Sequence, residues 1–172
     1  MPQPRSLLVF FLAALVLVVP GLLRAERVAL VVGINAYDHL GPRDQLTRPA
    51  ANAEDMASLL TRLGYRVVGG ATPGSAVTEV GHAAFAEATA TFAREAKGAA
   101  AALFYFSGHG IQLEGEQFLL PRDTPGLNSS SSLKNRAISL KDSVVVALAG
   151  AGVPARVVVL DCSRDNPFVA EL

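Results

Sequence analysis

The chain of 172 residues has no tryptophan, a single cysteine (Cys162) and only three histidines. One cysteine excludes any disulfide within the chain. The thiol is therefore a buried filler, a reactive group or an intermolecular link. His39, His82 and His109 lie far apart with no ligand-like spacing, which argues against a zinc site and gives an expectation of no metal and no cofactor. Basic and acidic residues are equal at 15 each. With no basic stripe and no Arg-rich helix, nothing points to nucleic acid as a partner. The glycines at 69–74 lack the Gly-Lys-Ser/Thr that a phosphate loop needs. No internal repeat is present, and the length suits one domain with a proper core.

What the chain does have is apolar residues, 51% of the total, partly concentrated at the N-terminus. Arg5 precedes the uncharged run SLLVFFLAALVLVVPGLL (6–23), followed by Arg24-Ala25-Glu26. This reads as a signal peptide over 1–25, which implies a secreted or periplasmic protein. The competing reading is an uncleaved anchor, shortened by Pro20, and only then would a membrane be a partner. Residues 26–172 form the remaining domain, two charges negative once Arg5 and Arg24 are gone.

Along that domain, RVALVVGIN (27–35) is apolar on both faces and reads as a buried parallel strand. Residues 36–49 form a loop. Ala53, Met56, Leu59, Leu60 and Leu63 have helical spacing over 50–63, and Gly64 stands at the C-cap. A second strand follows at 65–68. Ser75 is placed to cap a long Ala-rich helix over about 76–97. Residues 99–106 make the third strand, and 111–121 a hairpin turning at Glu114-Gly115. A polar loop occupies 122–137, with a weak glycosylation pattern at Asn128. Ser139 caps a helix over 140–150 that turns Leu140, Val144, Val145 and Leu148 inward. Residues 155–161 form the fourth strand. The alternation predicts an α/β sandwich with a largely parallel sheet.

Two strand ends carry reactive residues. Phe104-Tyr105-Phe106 leads into Ser107-Gly108-His109-Gly110, and VVVL (157–160) leads into Asp161-Cys162-Ser163-Arg164. If these strands are parallel neighbours, both reactive ends emerge at one sheet edge. An imidazole then lies beside a thiol or hydroxyl. The glycines flanking His109 allow close backbone approach, and a neighbouring N–H can serve an oxyanion.

YFSGHG (105–110), FLLP (118–121) and LDCSRDNPF (160–168), with ALVVGINAYDHL (29–40) and AEDMASLLTRLGYRV (53–67), together resemble the caspase-like cysteine peptidases, which include bacterial caspase-family proteins and metacaspases. The resemblance implies a caspase-like three-layer α/β sandwich, a mainly parallel sheet between helices. It implies a His–Cys dyad that cleaves peptide bonds through an acyl-enzyme. His109 would be the base, and Gly110 N–H with the nucleophile's own N–H would hold the oxyanion. Ser107 and Asp161 would line a pocket for a basic side chain of a peptide or protein substrate. Some metacaspases require calcium, and the sequence is silent on that need here.

The chain departs from the family string Leu-Asp-Ala-Cys-Arg. Matched without gaps, Cys162 falls on the Ala and Ser163 on the nucleophile. A thiol with a reference pKa of about 8.5 ionises readily beside an imidazole. A hydroxyl stays protonated and needs a base oriented by a third group, which the sequence does not reveal. Adjacent strand residues point to opposite faces, so Cys162 cannot simply take over. Ala51-Asn52 stands where relatives have Asn-Asp, removing one acidic pocket residue. Only Arg164 to Leu172 follow the reactive strand, so the chain resembles the large-subunit portion, C-terminally truncated, and a small-subunit-like partner or homo-oligomer would complete it. The expected function is an exported caspase-family endopeptidase domain impaired by Ser163. The alternatives are a silent relative that binds peptide or protein, and a non-functional truncated product.

Overall fold

The computed structural model describes residues 25–125 and 134–163. The signal-peptide segment 1–24, the loop at 126–133 with Asn128, and 164–172 lie outside the described residues. The elements are β1 (Arg27–Gly33), a 3-10 turn (Pro42–Asp44), α1 (Pro49–Arg62), β2 (Arg66–Val68), β3 (Val77–Thr78) and α2 (His82–Glu95). They continue with β4 (Ala101–Leu113), β5 (Glu116–Leu119), β6 (Ile138–Ser139), the helical segments Lys141–Val146 and Ala147–Gly150 taken together as α3, and β7 (Ala155–Ser163).

β1 pairs in parallel with β2, β3 and β4, and β4 pairs in parallel with β7. The far end of β4 turns antiparallel onto β5, which carries β6. The α/β sandwich with a mainly parallel sheet is therefore what forms. Alternation along the strands sorts the core into two layers. Leu30, Phe104 and Phe106 face α2 and α3, where Phe85, Phe92 and Leu148 meet them. Ala29, Val31 and Tyr105 face α1 through Ala53, Ala57 and Leu60. Complete burial of side chains such as Phe85, Phe92, Phe104 and Phe106 is worth roughly 2–3 kcal/mol each before entropy is charged against it. β7 lies at an edge among the described residues, and Val157, Val158 and Val159 are exposed in succession.

α1 starts on Pro49, whose missing N–H costs nothing there, and Asn35 Oδ1 accepts the Ala50 N–H at 2.9 Å. It ends at Gly64, with φ +81°. The helix expected from 76 begins only at His82. Val77 is drawn into the sheet opposite Val32 instead. Glu79, at φ +54°, turns its carboxylate onto the N–H groups of Asn35 and Ala36. Ser75 closes a turn on Thr72 rather than capping a helix. The cap on His82 N–H comes from Asp123, at 2.7 Å.

Both reactive stretches lie inside strands rather than beyond them. β4 runs unbroken through Ser107–Gly110 into the predicted hairpin, and β7 continues through Cys162 and Ser163. Residues 138–139, which lie between the expected loop and the expected helix, pair with Phe118 and Leu119 as β6. Ser139 Oγ still accepts the Asp142 N–H at 3.1 Å, as predicted for a cap. The first part of α3 is wound wider, as a π-helix. That shifts its phase, so Val144 and Leu148 are buried while Val145 is exposed.

Candidate active site

The β4–β7 register sets Ser107 opposite Asp161, Gly108 opposite Cys162 and His109 opposite Ser163. Cross-strand partners share a face and neighbours alternate. Ser107 and Asp161 lie on the α1 side, where the Ser107 hydroxyl donates to Asp161 Oδ2 at 3.1 Å. Cys162 lies on the other side, packed against the α2 and α3 core. Its Sγ occupies the space left by Gly110, where a Cβ would come within 3.1 Å of the sulfur. Ser163, not Cys162, thus holds the register position beside His109.

His109 is 7% exposed, and its ring is fixed from the loop after β1. Nε2 lies 2.7 Å from the backbone carbonyl of Asp44. A carbonyl only accepts, so Nε2 carries the proton and Nδ1 presents a lone pair. Nδ1 is buried without a hydrogen-bond partner. Leaving a buried acceptor unsatisfied costs about 1–3 kcal/mol. The third group that the sequence did not reveal is therefore a backbone carbonyl.

The His109 N–H donates to Tyr37 Oη at 2.7 Å, and the two rings stand 4.7 Å apart. Burial raises the Tyr37 phenol far above its ordinary range, so the hydroxyl stays neutral. Gly108 has φ +157°, and a Cβ there would come within 2.7 Å of Tyr37 Oη. Leu120 N–H donates to His109 C=O at 3.0 Å across the antiparallel arm. Alternation along that ladder turns the Gly110 N–H away from β5, toward the β7 side.

Beside these strand ends lies a cavity of about 330 Å³ lined by Leu46, Arg48, Asn52, Ser107, Asp161 and Cys162, among others. Three donors converge on Asp161 Oδ2: Ser107 Oγ at 3.1 Å, Tyr105 Oη at 3.1 Å and Asn52 Nδ2 at 3.2 Å. Burial first, and then the bond to Asp161, raises the Tyr105 phenol and keeps it a donor. Asn52 thus donates where a second carboxylate would have repelled. Among the described residues, no group of three His, Cys, Asp or Glu side chains could hold a metal ion, and no helix is long and apolar enough to cross a membrane.

The structure brings together Ser107, His109, Gly110, Asp161, Cys162 and Ser163 at one end of the sheet, with Cys162 set on the opposite face from Asp161. Sequence reasoning missed Tyr37, Asp44 and Tyr105. Asp44 acts through its carbonyl, which every residue possesses, so no side-chain pattern signals it. Tyr37 lies in the stretch that carried the family resemblance, but nothing in its spacing ties it to His109.

A family model described as the caspase domain matches residues 26–171. No curated protein matches. Among solved structures, the crystal structure of protein GSU0716 from Geobacter sulfurreducens matches with a TM-score of 0.51 and 21% identity over 78% of this chain. At that identity the likeness speaks for the fold alone. The match spans 48% of that protein's chain, about half its length.

Proposed function

The chain belongs to the caspase-domain peptidase family, and from that premise we propose that it is an exported endopeptidase domain of impaired turnover whose cleft binds peptides through a basic side chain. The observation that carries the reading is the register pair His109 and Ser163, with His109 Nδ1 buried and bare. In the mechanism, His109 Nδ1 takes the proton of the nucleophile as it attacks the scissile carbonyl. The C–N bond then breaks and the departing amine takes that proton from His109. Water, deprotonated by the same nitrogen, hydrolyses the acyl-enzyme. The N–H groups of Gly110 and residue 163 hold the oxyanion. Ser107 and Asp161 receive the basic side chain, and Asp161 supplies the charge.

Ser163 supports the impairment. Its hydroxyl needs far more help to ionise than a thiol, while Cys162 packs on the other face. That same observation favours a second reading, a pseudopeptidase that binds peptide or protein without cutting it.

Fluorogenic peptides ending in Arg, Lys or Asp separate these readings. Slow hydrolysis after Arg or Lys, abolished by His109→Ala and raised in Ser163→Cys, supports the peptidase. Peptide binding with no hydrolysis in either the native chain or Ser163→Cys supports the pseudopeptidase and overturns the first reading.

A further inference from the structure

We propose that Tyr37 is a positioning residue that holds the His109 imidazole in one orientation and one tautomer, a role that rests on reading His109 as the general base. Its hydroxyl accepts the His109 N–H at 2.7 Å, and its ring lies against the imidazole at 4.7 Å with a tilt of 52°. The hydroxyl reaches that backbone because Gly108 has no Cβ to block it. The loop bearing Tyr37 is itself tied shut by Gln45. Gln45 Oε1 accepts the Tyr37 N–H at 2.8 Å, while its Nε2 donates to the carbonyls of Tyr37 and Leu40. Asp44, next to Gln45, offers the carbonyl that Nε2 of His109 meets. One loop therefore grips His109 twice, at its backbone through Tyr37 and at its ring through Asp44.

The grip leaves Nδ1 as the one ring nitrogen able to take a proton. Phenylalanine at 37 would keep the ring packing but leave the buried His109 N–H without an acceptor. The backbone at 108–109 then loosens, and the imidazole loses its fixed distance to the Asp44 carbonyl. A residue that merely fills the core would not behave so, because Phe fills the same volume.

The test is ¹⁵N imidazole NMR on the full chain, with His109→Ala assigning the signals. The native chain should show His109 as the Nε2–H tautomer alone, and Tyr37→Phe should show both tautomers. A single tautomer in Tyr37→Phe overturns the proposal. If that variant does not fold, Gln45→Ala replaces it as a change that loosens the loop without touching the Tyr37 ring, and a single tautomer there overturns the proposal equally. A second measurement uses the Cys162→Ala/Ser163→Cys chain, alkylated by iodoacetamide across pH. Adding Tyr37→Phe should slow alkylation about tenfold near neutral pH and move the profile to higher pH, since a mispositioned imidazole no longer supports the thiolate. If His109→Ala leaves that profile unmoved, the base reading fails, and the catalytic purpose of the grip with it. A tautomer unmoved by Tyr37→Phe condemns the grip alone.

Discussion

Gly108→Ala adds one methyl group at the most crowded point of the site. The new Cβ would come within 2.7 Å of Tyr37 Oη and 2.8 Å of a Phe106 ring carbon. Neither neighbour can yield freely: Tyr37 is 2% exposed, Phe106 is fully buried, and Tyr37 also packs on His109. Overpacking of this kind costs about 1–3 kcal/mol. The backbone at φ +157°, a region side-chain-bearing residues rarely enter, adds about 1–3 kcal/mol. The expected destabilisation is about 2–6 kcal/mol. For a domain of this size that is roughly 4–24 °C in Tm, measured by circular dichroism on heating. Gly150→Ala is the matched control, since a Cβ there meets nothing within 4 Å and the residue ends a helix. It should stabilise by up to about 1 kcal/mol. Combining Gly108→Ala with Tyr37→Phe removes the nearer obstruction, so the pair should cost about 1 kcal/mol less than the sum of the two. A Gly108→Ala variant melting within a degree of the native chain would refute the packing argument. Strict additivity with Tyr37→Phe would refute its assignment to the Tyr37 hydroxyl.

Raising pH should destabilise the fold through Tyr37 and Tyr105, whose phenols are raised in the native state chiefly by burial. The unfolded chain loses these protons near pH 10 while the native chain keeps them, so the stability is intact below about pH 10 and lost above it. Urea midpoints at pH 9 and 11 should show this loss, and it should shrink in Tyr37→Phe. Asn52→Asp puts a second carboxylate about where a donor now meets Asp161 at 3.2 Å. Its Tm penalty against the native chain should be larger at pH 7 than at pH 4, because like charges raise the pair's pKa. The exposed ion pair Arg122–Asp38, at 2.9 Å, should matter little, and Arg122→Ala should leave the urea midpoint almost unchanged.

The strands were legible because both faces of 27–35 and of the 99–106 stretch are apolar, as a central parallel strand requires. Helix α1 was legible because its spacing, Pro49 and Gly64 agree on both ends. The failure at 76–97 has a local cause. Val77 and Val80 fit helical spacing, yet Val77 has a better use beside Val32, and Glu79 stabilises the chain in a conformation no helix allows. Long-range pairing overrode local propensity there. The site was legible in part for the same reason. Side-chain identity announced His109 and Asp161, whereas the Asp44 carbonyl and the Tyr37 hydroxyl depend on how one loop folds back on the sheet.

That loop also bears on which nucleophile the frame suits. In a triad with a carboxylate behind the imidazole, the imidazolium formed on proton transfer meets a full negative charge. Here Nε2 meets a neutral carbonyl at 2.7 Å, which orients the ring but supplies only a dipole. A thiol needs little more than that, because its reference pKa of about 8.5 lies close to neutrality. A hydroxyl must be deprotonated as it attacks, and a dipole offsets far less of that cost than a charge. On the proposed reading, the support behind His109 suits a thiol at position 163 better than the serine that the sequence carries there, and Cys162 packs against the α2 and α3 core. On that reading, Ser163→Cys is therefore the change that this orienting group favours, and peptide binding in the cleft should not depend on it.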